Sequence, residues 1–177
     1  VKSVKWIDSF EKIKNGPVIF FGNEFFDAIP IKQFIRKKGS LYEKYYLLNS
    51  DSEINEIHKK TSKRNYDMIN SYSSLKSLKF IEFPKYGFKQ LERITNIIAN
   101  QGGCILLIDY GYLKSHNQST LQSVFKHKKN YILNNLGKAD ITSHVNFELL
   151  KEFFVKNNLK IKKVITQKQF LENMGIM

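Results

Sequence analysis

Apolar residues along this chain gather into a few short continuous runs and one helical stripe, with polar and basic stretches between them. Residues 17–21 (Pro-Val-Ile-Phe-Phe) follow Asn15-Gly16, and a run this short and rich in β-formers predicts a strand over 18–21 buried on both faces. Residues 104–108 (Cys-Ile-Leu-Leu-Ile) repeat the pattern after Gln101-Gly102-Gly103. Between them Phe88, Leu91, Ile94, Ile97 and Ile98 recur at helical spacing and predict an amphipathic helix over 88–99. Helix, glycine turn and buried strand ending in a carboxylate make an α/β rhythm, in which ligands bind outside the carboxyl ends of parallel strands.

Weaker patterns fill the rest of the chain. Residues 6–14 suggest a short helix. Residues 31–35 and 42–48 suggest two strands of a hairpin around the basic turn Arg36-Lys37-Lys38-Gly39-Ser40. Ser50 and Glu53 have capping-box spacing before a polar helix over 53–60. Residues 61–77 show no clear period and read as a loop or irregular helix, and 78–83 as a strand closed by Pro84. Asn146 can cap a helix over 147–156, and residues 160–165 form a strand-like run. Thr166 and Gln169 make a capping box for a last helix ended by Gly175.

With 177 residues and 42% hydrophobic content the chain can bury the core of one domain, and no internal repeat or linker divides it. No long uncharged apolar run or signal-peptide pattern is present, so the expected setting is intracellular, without membrane insertion. The lone Cys104 sits in an apolar run and is expected to be a buried packing residue. A formal charge of +13 invites a nucleic-acid reading, but the basic residues occur in short scattered patches outside any recognisable module. A solvated Lys-rich surface is the better account, with no nucleic-acid partner. The first residue is not methionine, and the expectation is that the chain is the later part of something longer.

Three clusters carry candidate chemistry. Asn23, Glu24 and Asp27 follow the first buried strand, where carboxylates can hold a cation, a guanidinium or a ribose, or act as a base. Helix capping by Asn23, with Glu24 and Asp27 in the first turn, explains the same residues equally well. Asp109 and Tyr110 follow the second strand, and Gly111 permits close approach of a ligand. If residues 140–145 are extended, Asp140, Thr142 and His144 share one face, and Ile141 and Val145 the other. An Asp that orients a His, or a polar wall of a pocket, has this pattern, and so has a surface strand. No serine-hydrolase elbow, P-loop, G-x-G-x-x-G or zinc pattern is present.

In this order the clusters resemble the MidA-like family of S-adenosylmethionine-dependent methyltransferases, once catalogued as a domain of unknown function, which includes a complex I assembly factor with arginine methyltransferase activity. The likeness is carried by Gly22-Asn23-Glu24-Phe25-Phe26-Asp27-Ala28-Ile29-Pro30, by Leu107-Ile108-Asp109-Tyr110-Gly111-Tyr112, by Ser119-Thr120-Leu121 with His127 and residues 136–147, and by Thr166-Gln167 with residues 170–176. Ser119, Leu136 and Asn146 stand where the family usually has Gly, Pro and Asp.

The resemblance implies an α/β fold: the carboxyl-terminal portion of a Rossmann-like class I methyltransferase sheet. Residues 18–21 and 104–108 would be its fourth and fifth strands, 160–165 one of a final antiparallel pair, and 31–48 an inserted β-hairpin. Residues 1–177 would form a single domain, with the Gly-rich cofactor loop outside the chain. The implied function is S-adenosylmethionine-dependent protein arginine methylation linked to complex I assembly, on a protein substrate such as a complex I subunit, in the bacterial cytoplasm or mitochondrial matrix. Glu24 and Asp27 become catalytic candidates, Asn23 a cofactor contact, and Asp109, Tyr110, Asp140, Thr142 and His144 substrate contacts. The alternative is a non-catalytic module that docks a partner protein.

Overall fold

The computed structural model describes residues 4–51 and 53–176. In chain order its elements are β1 (Val18–Asn23), β2 (Lys32–Lys37), β3 (Ser40–Leu48), β4 (Ile54–Lys60), α1 (Lys63–Asn70), β5 (Phe80–Phe83), α2 (Lys85–Gln101), β6 (Gly103–Ile108), β7 (Gly111–Tyr112), β8 (Gln122–Phe125), β9 (Lys128–Asn130), β10 (Asp140–Thr142), β11 (Val145–Asn146), α3 (Phe147–Lys156) and α4 (Gln167–Asn173).

β1 and β6 pair in parallel, with Val18 opposite Gly103 and Asn23 opposite Ile108. Both strands therefore end side by side, and the loops that follow them are neighbours. A side chain at Gly103 would put its Cβ 1.8 Å from the Val18 carbonyl oxygen, so the strands can start together only because residue 103 has none. β7 and β11 form a second short parallel pair. The remaining sheets are antiparallel: four strands in the order β4-β3-β2-β5, and three in the order β10-β8-β9. The fold is mixed α/β.

The core lies between the four-stranded sheet, α2 and α3. Phe34, Leu41, Ile81 and Phe83 from the sheet meet Leu91 from α2 and Leu149 from α3, all of them almost fully buried. Aromatic rings tie the layers together: Phe83 meets Phe88 edge-on at 5.3 Å between centroids, and Phe88 packs on Phe153 at 4.3 Å. The helical stripe of α2 is that expected from its spacing, and the helix runs further at both ends, from Lys85 to Gln101. α3 spans Phe147–Lys156, with the Asn146 side chain accepting from the Leu149 N–H at 3.1 Å. α4 carries the Thr166–Gln169 capping box.

Several expectations from the sequence fail. Residues 53–60 form β4, not a helix, because β3 offers a full antiparallel partner from Tyr42 opposite Lys60 to Leu48 opposite Ile54. The turn is organised by Asn49, whose Oδ1 accepts from the Glu53 N–H at 2.8 Å, rather than by a Ser50 cap. Residues 61–77 hold the regular helix α1, capped by Ser62, and a 3₁₀ turn at Ser73–Leu75. Residues 6–14 contain only the 3₁₀ turn Phe10–Lys12. Residues 160–165 pair with no strand among the described residues, and an extended run without a ladder partner is no strand.

β1 and β6 are not buried on both faces. Val18, Phe20 and Gly22 face inward, while Ile19 is 74% and Phe21 59% exposed, and Cys104 is exposed where a buried packing residue was expected. Nothing among the described residues covers that side of the pair. Among these residues, too, no helix is long and apolar enough to cross a membrane.

If Leu149 ties α3 to the core, Leu149→Ala should cost about 2–5 kcal/mol in urea unfolding. Val155→Ala, on the exposed side of the same helix, should change stability by less than about 0.5 kcal/mol.

Candidate functional site

The loop after β1 and the end of β6 are built around one carboxylate. Asp109 Oδ2 accepts from the backbone N–H groups of Phe25 (3.2 Å), Phe26 (2.9 Å) and Asp27 (3.3 Å), and Oδ1 from that of Tyr110 (2.9 Å). Successive N–H groups curled around an anion form a nest, a fold of the backbone that a charged oxygen stabilises. Burial pushes the Asp109 carboxyl above the ordinary aspartate value of 3.8; the N–H groups of Phe26, Tyr110 and Asp27 oppose this, and the Asp27 charge adds to it. Its oxygens are thus turned onto the chain itself.

Glu24 opens the loop at φ 44, in the left-handed region that a residue with a side chain enters at a cost of roughly 1–3 kcal/mol. Its N–H still extends the ladder to the Ile108 carbonyl at 2.8 Å. Asn23 and Glu24 are exposed at the rim, and no helix follows for Asn23 to cap. Asp27, by contrast, is buried. Its Oδ2 accepts from the Tyr110 hydroxyl, and its backbone carbonyl accepts from the Ser143 N–H at 2.8 Å. Its Oδ1 is buried with no hydrogen-bond partner among the described residues. Burial, then the bond to Asp27, push the Tyr110 phenol upward, against a downward pull from the Thr142 hydroxyl.

The third cluster closes on the first two. Tyr110 packs edge-on against His144, with 5.6 Å between ring centroids, and the Tyr110 carbonyl accepts from the Val145 N–H at 3.0 Å. A Cβ on Gly111 would lie 2.0 Å from the Val145 carbonyl oxygen, so the close approach that this glycine allows is to the chain's own backbone rather than to a ligand. Thr142 Oγ1 accepts from Gln122 at 3.1 Å. Asp27, Asp109, Tyr110, Thr142 and His144 are therefore brought together. Asp140 stands apart, exposed at the far end of β10, and Ile141 is exposed instead of lining the inner face with Val145.

Sequence reasoning missed Glu82. It lies within β5 among apolar residues, is 9% exposed, and accepts from Gln33 Nε2 (2.8 Å), Ser119 Oγ (3.1 Å), the Thr120 N–H (3.1 Å to each oxygen) and Thr120 Oγ1 (2.5 Å). Thr120 Oγ1 in turn accepts from the His144 N–H at 3.0 Å. Glu82, Tyr112 and His144 line one small cavity of about 30 Å³, and burial followed by the Glu82 charge pushes the Tyr112 phenol up to about 12. The one signal for Glu82 was an acid inside the otherwise apolar run Phe80-Ile81-Glu82-Phe83.

Residues 1–165 match the model of a family described as "Putative S-adenosyl-L-methionine-dependent methyltransferase". Among curated proteins, the mitochondrial protein arginine methyltransferase NDUFAF7 homologue of Caenorhabditis elegans is 30% identical over 98% of this chain and 41% of its own length. The NDUFAF7 of Danio rerio is 29% identical over 98% and 40%. The chain thus spans about two fifths of the length of these relatives. The fold is shared with a Burkholderia thailandensis protein crystallised with S-adenosyl-homocysteine, at TM-score 0.75 and 18% identity over 97% of this chain and 45% of that one.

A carboxyl held above its ordinary pKa adds stability below pH about 3.8 that is lost as the pH rises through the folded value. The stability gap between the wild type and Asp109→Asn should therefore narrow as urea midpoints are followed upward from pH 3.8. A gap that widens would mean that the N–H groups outweigh burial at this carboxyl.

Proposed function

Because the chain belongs to this family of S-adenosyl-L-methionine-dependent methyltransferases, we propose that it forms the acceptor side of a protein arginine methyltransferase active in complex I assembly. The observation that carries the reading is Asp27: a buried carboxylate with Oδ2 fixed by Tyr110 and Oδ1 left without a partner. An unsatisfied buried acceptor costs about 1–3 kcal/mol, which an incoming N–H donor relieves. A guanidinium is a flat fork of donors that stays charged at all working pH values, and carboxylates match it. The relatives named as protein arginine methyltransferases support this choice of acceptor.

S-adenosylmethionine, when bound, supplies an electrophilic methyl group on its sulfonium. In this reading the exposed Asn23 amide, at the carboxyl end of a parallel strand, is a contact to the cofactor. Asp27 and Tyr110 hold the acceptor guanidinium, and its orientation supplies much of the rate. Glu24, exposed and set by its left-handed backbone at the mouth, takes the proton that the acceptor nitrogen gives up. Asp109 keeps the loop in shape, Thr142 and His144 form the wall beyond Tyr110, and Asp140 lies outside this group. In this reading β1 and β6 are the fourth and fifth strands of a Rossmann-like class I sheet, of which this chain is the carboxyl-terminal portion, and the β2–β3 hairpin is an insertion. The relatives' mitochondrial names favour the matrix in a eukaryote, and a complex I subunit is the proposed substrate.

In the full-length protein, Glu24→Gln should bind S-adenosylmethionine normally in calorimetry yet methylate at least ~100-fold more slowly; unchanged turnover would remove Glu24 from the proton path. Asp27→Asn should chiefly raise the KM for an arginine peptide. If wild-type protein binds the peptide but transfers no methyl, the partner-docking reading takes precedence.

A further inference from the structure

Glu82 lies outside the residues that would touch cofactor or acceptor, yet its carboxylate gathers side chains from two other parts of the chain. Gln33 reaches it from β2, Ser119 and Thr120 from the segment before β8, and Glu82 itself sits in β5. Both of its oxygens bond Thr120, whose hydroxyl donates to Oε2 and has a lone pair left to accept the His144 N–H. His144 follows Ser143, whose N–H is bonded to the Asp27 carbonyl, and its ring packs against Tyr110, which holds the Asp27 carboxylate. A continuous path of hydrogen bonds and one ring contact thus runs from the antiparallel sheet to Asp27.

We infer that Glu82 is a positioning residue for the acceptor side, acting through Thr120 to fix the backbone at His144 and thereby the Tyr110–Asp27 wall. This rests on the reading of Asp27 as the acceptor carboxylate. The physical basis is direction. A hydroxyl whose proton is drawn by a buried carboxylate presents its lone pairs in a fixed orientation, and a charge-assisted bond of this kind is stronger than a neutral one. Ser119 also donates to Glu82 but has no bond to His144, so it provides a built-in control.

The test uses the full-length protein, with the His144 imidazole resonances read by NMR and methyl transfer measured on a basic peptide with one central arginine. Thr120→Val removes the link while preserving shape. It should shift the His144 resonances and raise the peptide KM severalfold, leaving the KM for S-adenosylmethionine in place. Thr120→Ser, which keeps the hydroxyl, should restore both, Glu82→Gln should act like Thr120→Val, and Ser119→Ala should change neither. The inference is overturned if Thr120→Val leaves the His144 resonances unmoved, or if Ser119→Ala moves them as far. If the wild type methylates no peptide, the functional reading falls, while the His144 resonances still decide whether Glu82 positions this wall.

Discussion

The Asp109 carboxylate is the point on which the site depends. Parallel pairing brings the ends of β1 and β6 together, but pairing alone leaves the loop after β1 free to take many paths. Three of its N–H groups converge on one oxygen of Asp109, which selects one path and sends Asp27 inward while Glu24 stays at the rim. The left-handed backbone at Glu24 is the strain this arrangement carries, and the bonds to Asp109 offset it. A strand-end acid of the kind that can contact a ligand is here bonded to the loop beside it and frames that loop.

The same logic recurs at Glu82 and explains an apparent contradiction in the composition. The chain carries a formal charge of +13, yet Asp27, Glu43 and Glu82 are buried. Buried carboxylates persist only where donors surround them, and here those donors are mostly backbone N–H groups, hydroxyls and amides, with Lys32 bound to Glu43. The basic excess stays at the surface as scattered lysines, while the acids organise the interior around the site.

The exposed side of the β1–β6 pair completes the picture. Ile19 and Phe21 stand out from β1 although parallel strands elsewhere are covered on both faces. The polar loops at the carboxyl end of the same pair hold Asp27, Asp109 and Tyr110, and Thr142 and His144 join them from β10 and the turn that follows it.

Much of this was legible in the residues themselves, and what was not has a common cause. The runs at 18–21 and 104–108, the stripe of α2, the Asn146 cap of α3 and the capping box of α4 depend on neighbours a few positions apart, so local pattern determines them. The order of the motifs likewise carries the resemblance to the methyltransferase family by sequence alone. Contacts distant in sequence decided the rest. β4 is a strand because β3 lies beside it, Cys104 is exposed because nothing described covers its side, and residues 160–165 find no partner strand. Most of all, Asp109 reaches back more than 80 residues to the loop it shapes, and Glu82 reaches forward to Thr120. A carboxylate's identity is written in the sequence, but which donors surround it, and so whether it binds a ligand or holds the fold, is settled only when the chain closes on itself.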